Sequence, residues 1–339
     1  VETGVGGVKN IAVIGAGMAG LSCSQALQQA GYLVTVFEKS RGPSGRVSTR
    51  LGEGWQCDHG AQYFTVSQQP FVTQVQKWLQ AGVVAEWQGR IYEANEAGLR
   101  AKLSEKQRYV GVPRNTRPAR QMAQSLTVEL EQTVQQITFA EGKWRVHSKE
   151  HGAYPQVFDK VVLAIPAPQA QALLGFNLEM QALAASVNMR GCWALMGRYA
   201  HTLDLPFDGL FVNAGPLSWV ARDSSKPGRV PEGSAVKEVW VLHASAEWSE
   251  ANIERAPEEV AVALLAAFQA LGGEAPMEHS VHRWRYADCA NYLHQGFAWD
   301  AAQQLGMCGD WLNGGKVEGA WMSGYQLAQA MIKTCEPCY

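Results

Sequence analysis

The chain has 339 residues, 47% of them hydrophobic and 18% charged, with a formal net charge of -2. That length builds one large or two medium domains, and the near-neutral balance removes the electrostatic case for nucleic acid or an anionic membrane as a partner. No apolar run approaches the roughly 20 residues a membrane-spanning helix needs, so no membrane association is expected.

Residues 1–8 lack the apolar core of a signal peptide and read as a lead-in. Residues 10–20 (NIAVIGAGMAG) open with an apolar strand over 11–14 and pass at once into Gly15, Gly17 and Gly20. A helix over 18–30 follows, carrying Leu21, Ala26 and Leu27 and stopped by Gly31. A second apolar strand over 33–37 ends at Glu38. This is a βαβ dinucleotide fingerprint with every part in place. Gly15 permits the tight turn, Gly17 lets backbone approach a pyrophosphate, and Gly20 lets the helix pack closely on the strand. The unpaired N–H groups of the helix start face the phosphates. Glu38 is the acceptor for ribose hydroxyls, and its charge disfavours a 2′-phosphate.

FAD and NAD both use this fingerprint, and the next segment separates them. Residues 38–50 (EKSRGPSGRVSTR) are irregular and basic where a nicotinamide domain continues into a crossover helix. Lys39, Arg41, Gly45 and Arg46 there suit wrapping a longer cofactor, and the planar fork of Arg46 matches phosphate oxygens. Residues 71–117 contain an amphipathic helix (Phe71, Val75, Trp78, Leu79) and polar, turn-rich sequence, an excursion into a second domain. Residues 118–174 return to nucleotide-domain character with a strand over 161–165, broken by Pro166 and Pro168. From 181 to 299 apolar and polar residues alternate, as over 193–199 and 239–243, which predicts a largely antiparallel sheet interrupted by one helix over 257–271. A strand over 305–308 then presents Asp310 at its carboxyl end, where open α/β sheets hold ligands. The closing helix starts near Val317, with Val317, Ala320, Gly324, Leu327, Ala328 and Met331 on one packed face.

The fold class is therefore α/β: a Rossmann-type FAD-binding domain with a parallel sheet (8–70, 118–175 and 300–334), interleaved with an α+β substrate domain on a mainly antiparallel sheet (71–117 and 176–299). Seven scattered cysteines form no disulfide framework and point to free thiols in a reducing, cytoplasmic setting. Cys335 and Cys338 have redox-motif spacing but lack the flanking strand and helix. Neither zincin histidine spacing nor a Gly-x-Ser-x-Gly turn occurs, so no metal is expected and hydrolase chemistry has no entry point.

The opening fingerprint, the Gly45-Arg46 element and residues 58–64 (DHGAQYF) resemble the FAD-dependent amine oxidase superfamily. So do 219–229 (WVARDSSKPGR), 241–245 (VLHAS), Trp248-Ser249 and 308–324 (CGDWLNGGKVEGAWMSG). Within that superfamily the chain most resembles the renalase family, especially its bacterial members, over Lys9 to Met331. The resemblance implies that Asp310 bonds the ribityl chain and that the helix start near Gly309, Gly319 and Ala320 faces the flavin N1–C2=O edge. It places Gly60, Ala61 and Gln62 along the isoalloxazine ring and the Val134 backbone at adenine. The covalent Ser-Gly-Gly-Cys-Tyr motif is missing, so FAD is expected to be noncovalent. Residues 189–193 (MRGCW) lack the lysine that many amine oxidases place near flavin N5.

The function implied is oxidation of the 2- and 6-dihydro isomers of NAD(P), with hydride passing to flavin N5 and O2 reoxidising the flavin to give NAD(P)+ and H2O2. Tyr63, His243, Trp284 and Trp321 are the expected substrate contacts, Trp284 turned inward and Arg283 and Arg285 outward by strand alternation. No side chain stands out as an acid, base or nucleophile; the chemistry is flavin-centred. The alternatives are a flavin amine oxidase or desaturase acting on a small amine or cyclic natural product, and a non-catalytic binding protein of the kind that escorts prenylated GTPases on this fold.

Overall fold

The computed structural model describes residues 9–95, 98–102, 106–229 and 234–334, so the lead-in 1–8 and the Cys335/Cys338 pair lie outside the described residues. The chain forms two compact units. One comprises Val1–Gly45, Ala119–Asn188 and Ala290–Tyr339, the other Arg46–Pro118 and Met189–Cys289.

The first unit is built on a six-stranded sheet in the order Phe297–Asp300, Leu305–Cys308, Lys160–Leu163, Asn10–Ile14, Leu33–Phe37, Thr127–Glu129. All pairings are parallel except that of Phe297–Asp300 with Leu305–Cys308. Ile11 to Val13, Val161 to Leu163 and Leu305 to Cys308 are buried, the continuous apolar runs of strands covered on both faces. Helix Met18–Gln29 packs on helix Lys316–Lys333. Their backbones nearly touch: a Cβ on Gly324 would lie 1.9 Å from the Ala19 carbonyl oxygen.

The second unit holds a seven-stranded sheet in the order Glu278–Cys289, Met189–Tyr199, Glu238–Ala244, Leu217–Arg222, Gly209–Val212, Ile91–Asn95, Gly98–Ala101. Only Gly209–Val212 with Ile91–Asn95 is parallel. Period-two alternation sorts its side chains. Leu195, Trp240 and Leu242 join one core with Leu264 and Phe268 of helix Pro257–Ala270, while Met196 and Val241 join another with Cys57, Trp87 and Trp219.

Several boundaries differ from the sequence reading. Strand Lys160–Leu163 stops before Ile165, ahead of the helix Ala167–Leu173 that Pro166 introduces. On the last helix, Gly319, Trp321 to Gly324, Leu327, Ala328 and Met331 are buried, while Val317 and Ala320 are only half-buried. Leu79 is exposed, and Phe71, Val75 and Trp78 alone carry the packed face of helix Gln69–Gln80. A second helix, Ala246–Ala251, interrupts the antiparallel region, capped by Ser245, whose side chain accepts from Trp248 N. Residues 46–70, grouped by sequence with the nucleotide segments, pack in the second unit because Gln56 and Asp58 are bonded into it at 113–115 and 223–229.

Candidate functional site

In the first unit three candidate groups stand at the carboxyl ends of adjacent or near-adjacent parallel strands: the glycine turn after Ile14, Glu38 after Phe37 and Asp310 after Cys308. Gly15 has φ +106°, and a Cβ there would sit 2.5 Å from the Ala164 carbonyl oxygen. A Cβ on Gly20 would lie 1.9 Å from the Gly15 oxygen, which locks helix to turn. Gly17 is different: a Cβ there meets nothing within 4 Å, so open space lies over the helix start, as a pyrophosphate requires. Gly45 closes on this turn, its Cβ position 3.2 Å from Gly17 Cα.

Glu38 is buried, accepting from Ala16 N at 2.9 Å and Ser40 N at 2.8 Å, with a lone pair left on each oxygen. Its backbone and that of Ser40 bond residues 129–132, two residues short of the strand that starts at Val134. Lys39 and Arg41 are exposed. Asp310 is buried, Gly309 N is held by Ser323 Oγ at 2.9 Å, and Gly319 sits close enough to the Asn313 carbonyl to exclude a side chain. These residues fit a dinucleotide.

In the second unit, Arg46 and residues 60–62 come together. The Arg46 carbonyl accepts from Ala61 N at 2.9 Å, and a Cβ on Gly60 would lie 2.0 Å from that same oxygen. The Arg46 guanidinium reaches the Ala287 carbonyl at 3.2 Å. Beneath this loop lies a group of buried charges that the sequence reading did not identify. Asp58 (0% exposed) accepts from Arg229 at 2.7 and 3.0 Å, from Thr49 Oγ1 at 2.6 Å and from Asn115 N at 3.1 Å. Lys226 (2% exposed) donates to Asp223 at 2.6 Å and to Gln62 Oε1 at 3.1 Å. Burial works to raise the Asp58 carboxyl, but Lys226 and Arg229, with help from Thr49 and Asn115, outweigh it and hold the group below the usual carboxylate range. Two acids and two bases leave the cluster neutral, which is what makes its burial tolerable.

Next to this loop the rings converge. His59 stacks on Trp284 at 5.2 Å and 24°, and His282 stands edge-on to both, at 4.8 and 4.5 Å. The His59 carbonyl accepts from Trp284 Nε1 at 2.9 Å and lies 3.1 Å from His243 Nε2. Burial, then the neighbouring His282, Arg50 and His243, push His59 down to about 3. Burial puts His243 and His282 at about 4, with Lys226 and Arg50 respectively adding to the effect. All three imidazoles are neutral at pH 7. His59 Nδ1 is buried without a hydrogen-bond partner among the described residues.

Of the expected substrate contacts, Trp284 and His243 thus meet at one carbonyl, while Arg283 and Arg285 turn away to Glu254 as the alternation requires. Tyr63 instead packs between Trp219 (5.7 Å) and Trp87 (6.1 Å) with Arg108 over its ring. Trp321 belongs to the first unit and stacks on Tyr325 at 5.3 Å and 11°. His59 and His282 were not anticipated; their only sequence signal is adjacency to Asp58 and alternation with Trp284.

A family model described as NAD(P)-binding Rossmann-like domain matches residues 13–78, and one described as flavin containing amine oxidoreductase matches 84–332. Among curated proteins, an L-amino-acid oxidase of Daboia russelii is 48% identical over 54 residues, 15% of this chain and 11% of that protein. A tRNA 5-methylaminomethyl-2-thiouridine biosynthesis bifunctional protein of Magnetococcus marinus is 43% identical over 68 residues, 17% of this chain and 10% of that protein. The chain thus matches only about a tenth of each of these relatives. Similar solved structures include a putative protoporphyrinogen oxidase from Exiguobacterium sp. 255-15, with TM-score 0.77 and 12% identity over 96% of this chain and 99% of that one. Cyclohexylamine oxidase from Brevibacterium oxydans IH-35A (TM-score 0.72, 12% identity) and putrescine oxidase bound to putrescine (TM-score 0.71, 16% identity) match with the same coverage. At such identities the solved structures speak to the fold, and they share its pairing of a parallel nucleotide sheet with a second, mainly antiparallel one. With the amine oxidoreductase model spanning most of its length, the chain belongs to the flavin-containing amine oxidoreductase family.

Proposed function

We propose that the protein is a flavin-dependent oxidase of the renalase type, holding FAD noncovalently and acting on a flat dihydropyridine ring, specifically the 2- and 6-dihydro isomers of NAD(P), with O2 as terminal oxidant. The observation that carries this reading is the Trp284–His59 stack with His243 and His282 beside it, an aromatic surface whose imidazoles are all uncharged. Among the described residues no carboxylate hydrogen-bonds any of these four rings, and the Arg50 guanidinium stands 3.4 Å from His282 Nδ1, a like charge that opposes a cationic ammonium group there.

When bound, the flavin supplies the two-electron acceptor. The chain supplies orientation, through Trp284 and His243, and neutral imidazoles that do not oppose the positive charge growing on a ring as hydride leaves. In this reading Gly15, Gly17, Gly20, Gly45, Glu38 and Asp310 hold the dinucleotide in the first unit.

A second reading is oxidation of a small amine. The comparisons favour it over the first, since cyclohexylamine oxidase and putrescine oxidase share the fold and the family model is named for amine oxidation. Uncharged imidazoles also suit an amine that reacts in its neutral form.

Anaerobic mixing with 2-, 4- and 6-dihydro-NAD, cyclohexylamine and putrescine, followed by flavin absorbance, separates these. The expected result is bleaching by the 2- or 6-isomer at least about tenfold faster than by 4-dihydro-NAD or either amine, because a ring seated with C2 or C6 at the acceptor displaces C4. Rapid bleaching by an amine with no response to the isomers establishes the second reading. Protein that stays colourless and takes up no FAD overturns both and leaves the binding-protein alternative.

A further inference from the structure

The carbonyl that Trp284 and His243 share belongs to a peptide that is fixed from below. Gln62 Nε2 donates to the carbonyls on either side of His59, those of Asp58 and Gly60. Gln62 Oε1 in turn receives Lys226 Nζ at 3.1 Å. The charge of Lys226 is already matched by Asp223 at 2.6 Å, and that of Asp58 by Arg229 at 2.7 Å. The Lys226–Gln62 bond is therefore surplus to charge balance. Its effect is to hold one rotamer of Gln62, with both amide hydrogens aimed at the backbone of 58–60. Each group in the series is buried or half-buried, where an unmade hydrogen bond is costly and alternative geometries are disfavoured accordingly.

We propose that Lys226 is a positioning residue for the substrate-facing pair Trp284 and His243, acting through Gln62 on the His59 carbonyl. It touches neither ring. Lys226 sets where the shared acceptor lies, and the acceptor sets where an indole and an imidazole on two different strands, Glu278–Cys289 and Glu238–Ala244, present themselves. The same ammonium group adds to the lowering of His243, which places its charge within electrostatic reach of that ring. The relevance to substrate rests on the reading of Trp284 and His243 given above; the positioning itself does not.

Removing Lys226 alone strands Asp223, so the test variant pairs Lys226→Met with Asp223→Asn, which keeps the cluster neutral and retains an acceptor for Asp58 N. A second variant, Gln62→Met, breaks the relay and leaves all four charges paired. The readout is hydrogen exchange of the Trp284 indole N–H by nitrogen-15 NMR, the resonance being assigned by its loss in Trp284→Phe. Both variants are expected to exchange at least about tenfold faster than wild type in protein whose circular dichroism remains that of the folded chain, and to reduce more slowly at saturating substrate. Unchanged indole exchange in Gln62→Met, or in the double variant if it folds, overturns the proposal. Should the double variant fail to fold, Gln62→Met alone decides. Wild type that reacts with neither dihydronicotinamides nor amines overturns the functional reading while the exchange measurement still judges the positioning.

Discussion

At the residue scale, the three histidines near Trp284 carry a pH signature. Their folded values, about 3 for His59 and about 4 for His243 and His282, lie below the ordinary 6.5. Between pH 6.5 and 4 the unfolded chain therefore binds protons that the folded chain refuses, and stability rises with pH across that window. The stability these neutral rings contribute is complete above pH 6.5 and is lost progressively as pH falls toward 4. Urea midpoints at pH 7 and pH 5 check this. The midpoint is expected to be lower at pH 5, and the difference to shrink in His243→Asn. Equal midpoints, or a higher one at pH 5, contradict neutral imidazoles. Sequence alone could name His243 and Trp284 as candidates. It could not show His59 and His282 against them, because that depends on which strand lies beside which.

At the element scale, the glycine turn separates folding from ligand binding within a few residues. A methyl group on Gly20 would have to occupy space 1.9 Å from a backbone oxygen, whereas one on Gly17 enters open space. Gly20→Ala is expected to destabilise the protein by about 1–3 kcal/mol, as overpacking does, and to lose FAD as a consequence. Gly17→Ala is expected to change the denaturation midpoint little while cutting FAD affinity at least about tenfold, because the methyl group takes the place of the pyrophosphate. Chemical denaturation of the apoprotein beside FAD titration checks both. A Gly17→Ala protein that binds FAD as wild type does removes the turn from the cofactor site. This βαβ element was legible in the sequence since its parts are local: strand, turn, helix and acid follow one another without long-range partners.

At the scale of the whole molecule, the second unit is joined through buried charge. Asp58, Asn115, Asp223, Lys226 and Arg229 tie together chain segments as far as 171 residues apart. Arg229→Met is expected to cost about 3–5 kcal/mol, because it leaves Asp58 buried with its principal partner gone. Asp58→Asn combined with Arg229→Met is expected to recover much of that loss, as measured by urea unfolding. An Arg229→Met protein as stable as wild type means that water or another cation reaches Asp58.

The parallel nucleotide sheet, the antiparallel second sheet and the cofactor fingerprint were legible in the amino-acid order alone. Each is written in local periodicity, glycine spacing and strand-end chemistry, which act over a few residues. Folding in three dimensions alone reveals that residues 46–70 pack with the second unit, that Asp223, Lys226 and Arg229 are interior, and that Tyr63 packs with Trp87 and Trp219. A charged residue reveals its burial only through its partner, and here the partners arrive from distant parts of the chain. The same holds for the ring cluster. His59, His243, His282 and Trp284 come from a loop and two strands, and their common geometry exists only once the seven-stranded sheet has formed and brought its strands into register.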